Sequence, residues 1–455
     1  MTNFIKTEAY ATYNLNLESG HNFNITAGYS FERRHIKDIA AIGENLMSET
    51  LNDLDLVGTN ADGEKVTNVT GGQSRYVSMS GFGRFNYNYK ERYLIELNAR
   101  YDGSSRFAKG TRWVMVPSAA LGWRVSEEPF FEPAKAYVEN LKLRASFGRL
   151  GNHQVDDYAY IREINMGQLG YLFGGSKPNY ATIDPPVASD LTWEVIDQYN
   201  VGVDLSMFEN RLSFTADAYI RDTKGMLTKG KALPGVYGTS SPKMNAADMR
   251  TKGYELALSW KDQFMLGGKP FAYSASFVFS DYVTKITKYD NPNKLLSDYY
   301  VGQTYGEIWG YVTDGFFASD EEAKNYNVDQ TSISDIIYSS AGEEYGLRAG
   351  DLKYVDLNGD GKISTGTNTV DNPGDRKLLG NSQPRFQYGI NLGFNYLGID
   401  FSMFLQGVGH IDWYPNPEAL PFWGPYSRPY ASFIPADFVD KVWSEENPDS
   451  YFPRP

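Results

Sequence analysis

The segment RFNYNYKERYLIELNARY, residues 84–101, alternates apolar and polar side chains on both sides of a short break. Phe85 and Tyr87 alternate with polar residues before the break, and Ile95 and Leu97 do so after it. Because successive side chains in a strand point to opposite faces, the pattern predicts two antiparallel strands with one apolar and one polar face. Such a hairpin can form part of a wall whose apolar face contacts lipid and whose polar face contacts water.

The same alternation recurs along the chain and predicts about twelve strands, each close to the length that crosses a membrane as a tilted strand. The opposite face is mostly Gly, Asn, Asp, Ser, Gln and Glu. The apolar sets occupy residues 9–17, 23–31, 79–89, 93–101, 115–123, 141–147, 199–207, 212–220, 254–260, 271–279, 386–396 and 399–405.

The connections between these segments are alternately short and long. Short ones are expected near residues 18–21, 90–92, 126–140, 209–210, 262–269 and 397–398. Long ones are expected at 34–74, 103–112, 151–196, 222–248, 288–384 and after 410. This pattern is typical of a transmembrane antiparallel β-barrel with tight periplasmic turns and long extracellular loops, and aromatic residues beside the short turns suit an interfacial girdle. A soluble β-sandwich also has half-buried strands, but it does not need loops that alternate in this way.

Composition excludes several classes of protein. The chain has no cysteine, so disulfides and thiolate metal sites are excluded, and a net charge of -13 argues against general nucleic-acid binding. Its sequence has no apolar run of about 20 residues that would form a membrane helix. The start MTNFIKTEAY does not resemble a signal peptide, so an export signal is expected upstream.

Several motifs point to a known family. They are YDGSSRF (101–107), PSAALGWRVSEEPFF (117–131), ASFGRLGN (145–152), NAADMRTKGYELALSW (245–260), DLKYVDLNGDGKI (351–363) and LLGNSQPRFQYGINLGFNYLGIDFSMFLQG (378–407). Together they resemble the SusC/RagA type of TonB-dependent outer-membrane receptor over nearly the whole chain. The resemblance implies a barrel of roughly 22 strands, an N-terminal plug, contact with the TonB complex, and a SusD-like lipoprotein over the extracellular mouth.

The resemblance also sets the expected domain organisation and function. Residues 1–455 are expected to be a partial receptor barrel whose plug domain and final strands are not in this chain, with 288–384 as a long extracellular loop insertion. The implied function is TonB-dependent import of oligosaccharides or peptides. The rivals are a non-transporting surface binding or adhesion protein, which includes a receptor remnant, and a soluble β-rich carbohydrate-binding protein.

The best local motif resembles the start of a calcium loop. Oxygen ligands at positions 1, 3, 5 and 7 would be the side chains of Asp356, Asn358 and Asp360 and the backbone carbonyl of Lys362. Position 12 is Thr367 instead of the usual glutamate, so a further carboxylate would have to come from beyond it, for example from Asp371 or Asp375. The competing interpretation is a polar turn without metal.

Aromatic residues in the long loops are candidate sugar-stacking platforms, because an aromatic face complements the apolar face of a sugar ring. The principal candidates are Trp309, Tyr311, Trp413 and Trp423, within a wider set of Tyr171, Phe173, Tyr180, Tyr237, Tyr414 and Tyr426. No catalytic residues are expected, since the four histidines lie far apart and neither HExxH nor GxSxG occurs.

Overall fold

The computed structural model describes residues 1–44, 46, 50, 53–59, 63, 65, 67–183, 186–231, 233, 234, 236, 238, 239, 241–333, 346–415, 420–427 and 436–454. They form two compact units, the first comprising 1–249 and 258–260 and the second 250–257 and 261–455. The strands are β1 (Thr2–Asn16), β2 (His21–Gly43), β3 (Thr67–Tyr89), β4 (Tyr93–Ser104), β5 (Trp113–Arg124), β6 (Val138–Asn152), β7 (Ile164–Gln168), β8 (Asn179–Ile183), β9 (Glu194–Met207), β10 (Leu212–Lys229), β11 (Lys243–Leu266), β12 (Lys269–Lys288), β13 (Glu307–Tyr311), β14 (Thr313–Phe316), β15 (Leu352–Tyr354), β16 (Arg376–Asn381), β17 (Arg385–Tyr396) and β18 (Ile399–His410).

Twelve of these strands form one sheet in the order β1-β2-β3-β4-β5-β6-β9-β10-β11-β12-β17-β18. Each of the twelve predicted segments is one of these strands, so the prediction from alternation is confirmed. The other strands pair as the small sheets β7-β8, β13-β16 and β14-β15. Among the described residues no helix is long and apolar enough to cross a membrane.

The predicted strand ends need three corrections. β10 continues to Lys229 and β11 begins at Lys243, so the predicted loop 222–248 is reduced to residues 230–242. β2 and β3 run far into the predicted loop 34–74, pairing in register from His21–Tyr89 to Gly43–Thr67. The predicted connection 262–269 is only a two-residue turn, Gly267 and Gly268, at φ 57° and 75°. Because glycine adopts positive φ without steric cost, this pair makes a tight hairpin turn and lets both strands continue to it.

Each unit exposes apolar side chains on one face of its strands. In the first unit the register pairs apolar residues with each other, as in Phe85 with Leu97 and Ile95 with Leu121. In the second unit Phe271 stacks on Phe394 at 5.7 Å between ring centroids, and Phe394 stacks on Phe401 at 5.2 Å. An apolar face of this extent requires a covering, and lipid supplies it for a barrel wall.

The polar face of the first unit carries paired charges. Arg144 donates to both oxygens of Asp217 at 2.6 and 2.5 Å and to Asp204 at 3.1 Å. Arg149 donates to Asp197 at 2.7 Å. These cations are therefore balanced by neighbouring carboxylates on the same face.

The long connections are folded where they are described. In the first unit, Phe107, Leu191 and Trp193 form a small buried core. The Asn245 side-chain amide donates to the Thr192 carbonyl at 3.0 Å and accepts from the Thr192 backbone N–H at 2.9 Å, which fixes this core to β11.

In the second unit, the short helix α1 (Asp320–Lys324) begins with Ser319 as its N-cap. The Glu322 backbone N–H donates to the Ser319 hydroxyl at 3.1 Å, and the Glu322 carboxylate accepts from the backbone N–H of Ala318, the residue before the cap, at 2.7 Å. The buried side chains of Phe317 and Ile363 give the segment between β12 and β17 its own core.

Candidate ligand cleft beside the long loop

A cleft of about 430 Å³ lies within the second unit, where β12, β16, β17 and β18 meet the residues that precede β13. This volume is in the range of small-molecule sites. The polar part of its lining is formed by Glu307, Asn381, Gln383, Arg385, His410 and Asp412, and the apolar and aromatic part includes Tyr282, Tyr305 and Leu379.

The guanidinium of Arg385 is held by a buried carboxylate. It donates to both oxygens of Asp281 at 2.5 and 2.6 Å, and the Asp281 side chain is only 6% exposed. Asp281 also accepts from the Phe386 backbone N–H at 3.3 Å. Phe386 has φ 55°, a conformation that costs energy for a bulky residue. Asp281 therefore fixes both the cation and a strained start of β17.

The second charged group is Asp412, which is held in position by the backbone of the neighbouring strand β16. Asp412 accepts from the Asn381 backbone N–H at 2.7 Å, and His410 Nε2 lies 3.0 Å from the same carboxylate oxygen. The Asn381 N–H, more than His410, lowers the pKa of Asp412. A Cβ on Gly380 would lie 2.3 Å from Asp412 Oδ2. Glycine at 380 is what allows the carboxylate to reach this position.

Glu307 is the third oriented group. It accepts from the Tyr300 hydroxyl, from the Thr304 backbone N–H at 2.7 Å and from the Trp309 indole N–H at 3.2 Å. Burial, and then the hydrogen bond to Glu307, raises the pKa of Tyr300. Trp309, predicted as a sugar platform, is therefore partly buried as a hydrogen-bond donor that supports the cleft wall.

The other principal platforms, Tyr311, Trp413 and Trp423, lie in two groups. Of the wider set, Tyr171, Phe173 and Tyr180 are exposed in the first unit. Tyr311 packs edge-on against Tyr354 at 5.8 Å, and within the described residues its buried hydroxyl has no hydrogen-bond partner. Burial raises the pKa of Tyr311. Tyr414 lies 5.9 Å from Trp423, while the neighbouring Trp413 is 76% exposed. The predicted residue Tyr237 lies outside the described residues.

The calcium-like loop is closed by its own side chains. Asp356 accepts from the backbone N–H of Gly359 at 2.7 Å and of Gly361 at 2.8 Å. These bonds, the one to Gly361 foremost, lower the pKa of Asp356. Asn358 accepts from the backbone N–H of Asp360 at 2.9 Å, and Asp360 accepts from that of Lys362 at 3.0 Å.

Asp375 braces the same loop from outside it. It is fully buried and accepts from the backbone N–H of Leu357 at 2.9 Å and of Ser364 at 2.8 Å. The Thr367 hydroxyl lies 3.0 Å from that of Thr369. Among the described residues no three of the types His, Cys, Asp and Glu converge as a metal site. Calcium binding here stays a prediction.

Sequence reasoning missed the residues that organise the cleft. Asp281 and Arg385 are separated by 104 positions, and Asn381 meets Asp412 only through the strand arrangement. One sequence contains no signal that pairs such distant polar residues. The motif LLGNSQPR contains Gly380, Asn381 and Arg385, but the motif alone does not indicate a cleft.

The chain is similar in sequence to known proteins. Residues 2–432 match the family model described as TonB dependent receptor-like, beta-barrel. A TonB-dependent receptor of Formosa agariphila is 28% identical over 425 residues, which cover 87% of this chain and 38% of that protein. The TonB-dependent receptor SusC of Bacteroides thetaiotaomicron is 28% identical over 75% of this chain and 32% of its own length. These matches confirm the resemblance predicted from the motifs.

The fold is similar to that of solved structures. The structure of the RagAB peptide transporter matches with a TM-score of 0.67 at 19% identity, covering 88% of this chain and 40% of that chain. The chain therefore spans about two fifths of the length of such proteins.

Proposed function

Since the chain belongs to the TonB dependent receptor-like β-barrel family and is an outer-membrane protein, we propose that it contributes barrel wall and extracellular loops to a receptor that imports oligosaccharides or peptides. In this proposal TonB supplies the driving work and a SusD-like lipoprotein covers the mouth. The observation that carries the proposal is the cleft around Arg385, Glu307 and Asp412, whose charged groups are held in place by neighbours.

The chemistry of the cleft favours a neutral polar ligand. Arg385 is balanced by Asp281, so it offers no unpaired cation to an anionic ligand. The carboxylates of Glu307 and Asp412 already accept from neighbouring hydroxyl and N–H donors. The amides of Asn381 and Gln383 add donors and acceptors without net charge. A sugar unit with hydroxyls and an apolar ring face fits this lining, and a peptide backbone is the second class that fits.

The test compares two glycine variants of the intact gene product in its own cell. Gly380→Ala places a Cβ against Asp412, whereas Gly81→Ala in β3 meets nothing within 4 Å and serves as the matched control. We expect Gly380→Ala to lower the uptake of labelled oligosaccharides or peptides at least tenfold, with Gly81→Ala unchanged and both proteins present in the outer membrane.

Three results contradict parts of this proposal. Equal uptake by both variants would show that the cleft does not take part in ligand capture. Surface binding without accumulation in the cell, unaffected by loss of TonB, indicates a binding or adhesion protein instead of an importer. Normal uptake after deletion of a neighbouring gene for a SusD-like lipoprotein would show that uptake does not need this partner.

We also propose that the loop around Asp356 and Asp360 binds Ca²⁺ and stiffens the segment between β12 and β17. The proposal is supported by the spacing of Asp356, Asn358 and Asp360, which matches positions 1, 3 and 5 of a calcium loop, and by Gly361 at φ 82°. Limited proteolysis in CaCl₂, in MgCl₂ and in chelator is the test. Protection by calcium alone, lost in Asp360→Ala, is expected. Identical digestion in all three conditions would mean a metal-free turn.

A further inference from the structure

Strands β2 and β3 continue past the apolar part of their outward face towards a long connection, residues 44–66. The apolar set on β2 begins at Phe23 and ends at Phe31. A tilted strand needs roughly 9–11 residues to cross the hydrocarbon of a membrane, so a crossing that starts at Phe23 ends close to Arg33. The residues that follow Phe31 on the same face therefore lie at the level of the lipid headgroups.

The outward positions at this level are basic. Side chains two residues apart in a strand share a face, and so do register partners in an antiparallel pair. The β2–β3 register has no shift over this stretch, and its successive outward pairs are Arg33 with Val77, His35 with Arg75, and Lys37 with Gln73. Opposed side chains have Cβ atoms about 5 Å apart. Arg33, His35, Lys37 and Arg75 thus form one basic patch.

No carboxylate of the described residues neutralises the basic patch. The β1 positions that face it are Ile5, the partner of Arg33, and then Asn3. Glu32 lies on the opposite face of β2, where its carboxylate accepts from the Tyr76 hydroxyl. Within the part of the chain that the structure describes, the side chains of the patch form no ion pair. Their charge is therefore open to a partner from outside the chain.

The basic patch also contains an unsatisfied donor. The Nε atom of Arg33 is buried and has no hydrogen-bond partner among the described residues. Like charges at neighbouring positions on one face of a sheet repel each other and destabilise it, and so does a buried donor without an acceptor. An anion held between the guanidinium groups of Arg33 and Arg75 would offset the repulsion and supply an acceptor. The patch therefore fits an anionic ligand on the outward face.

The surroundings of the basic patch favour a lipid phosphate. Arginine binds phosphate through two parallel hydrogen bonds, and lysine binds it as a point charge. On the membrane side of the patch, Phe31 and its partner Met79 offer an apolar surface to acyl chains. Beside the cations, the amides of Asn3 and Gln73 can exchange hydrogen bonds with sugar hydroxyls. Phosphate, acyl chains and sugar occur together in a phosphorylated glycolipid.

We propose that the basic patch binds the phosphate group of a phosphorylated glycolipid in the outer leaflet of the outer membrane. Long connections of an outer-membrane barrel lie on the extracellular side, and the connection 44–66 follows the patch end of β2. The leaflet on that side is built from phosphorylated glycolipid. This inference rests on the barrel wall and is independent of the imported ligand.

The test measures lipid binding by the intact gene product. The protein is purified in detergent and titrated with monophosphoryl lipid A, with the same glycolipid after removal of its phosphate, and with phosphatidylglycerol, and bound lipid is counted by native mass spectrometry. The variants are Arg75→Gln and the double variant Arg33→Gln/Arg75→Gln. Arg84→Gln is the matched control, because it removes the same charge from the same strand on the opposite face, where Arg84 donates to Asn98 at 2.8 Å. Heat-modifiable gel mobility shows that each variant is folded.

We expect Arg75→Gln to raise the dissociation constant for monophosphoryl lipid A about fivefold or more, because a charged donor is lost, and the double variant to raise it further. Arg84→Gln should leave the constant unchanged. Equal constants for the Arg75→Gln and Arg84→Gln proteins would overturn the proposal. In the unmodified protein, equally tight binding of the glycolipid without its phosphate would also overturn it. Phosphatidylglycerol binding as tightly as lipid A would overturn the assignment to a glycolipid, and displacement of the lipid by inorganic phosphate would overturn the assignment to a lipid.

Discussion

The fork between Arg385 and Asp281 gives the sharpest stability prediction. Asp281→Ala leaves the guanidinium without its two acceptors and removes the acceptor of the strained Phe386 N–H. Removing one partner of a buried ion pair costs roughly 3–5 kcal/mol. Because water still reaches the Arg385 side chain, which is 30% exposed, we expect a smaller loss of about 2–3 kcal/mol.

The matched control is Asp217→Ala. It removes a similar fork from Arg144, but Asp204 remains as a second acceptor at 3.1 Å. The expected loss is about 1 kcal/mol, close to that of one ordinary hydrogen bond.

Both variants are measured by urea unfolding of the intact gene product in phospholipid vesicles, with the midpoint shift converted at constant slope. If Asp281→Ala is no more destabilising than Asp217→Ala, the reasoning about the uncompensated cation is refuted.

Three further changes test other features. Leu397→Asn, at φ 51° in the turn before Gly398, should stabilise the protein by about 0.5–1 kcal/mol in the same assay, because asparagine tolerates the left-handed region; a loss would contradict that geometry. The hydrogen bonds that lower the pKa of Asp356 stabilise its loop above about pH 4 and are lost as the pH falls through the lowered pKa of the folded state. The protection of the Gly361 amide against hydrogen exchange should therefore fall in acid. An Asp356→Asn protein should not show this acid dependence. Asn245→Ala should increase protease cleavage in the loop containing Trp193. Unchanged cleavage would show that the buried core holds this loop without the Asn245–Thr192 hydrogen bonds.

The sequence predicted the strands because their signal is local. Apolar residues recur every second position in segments such as 93–101 and 212–220, and a face turned to lipid needs only this periodicity. The strand ends were less accurate. The continuation of β2 to Gly43 depends on pairing with Thr67, which is a contact between residues far apart in the sequence.

The candidate site was predicted only in outline. The long segment 288–384 and its aromatic residues were identified from spacing and composition, but Trp309 turned out to support Glu307 instead of standing free. The cleft residues His410 and Asp412, and Asp281 behind Arg385, were not identified, because no local pattern marks them.

The amino-acid sequence by itself determined the membrane-wall architecture, the twelve strands of the large sheet and the family, because alternation and motif order are properties of neighbouring residues. It did not show the six strands of the three small sheets. Only the tertiary structure decided which polar groups meet. Arg385 in β17 pairs with Asp281 in the neighbouring strand β12. Asp412 accepts from the Asn381 backbone N–H because residue 380 lacks a Cβ. Such contacts depend on ångström-scale approach between distant segments, which periodicity does not specify.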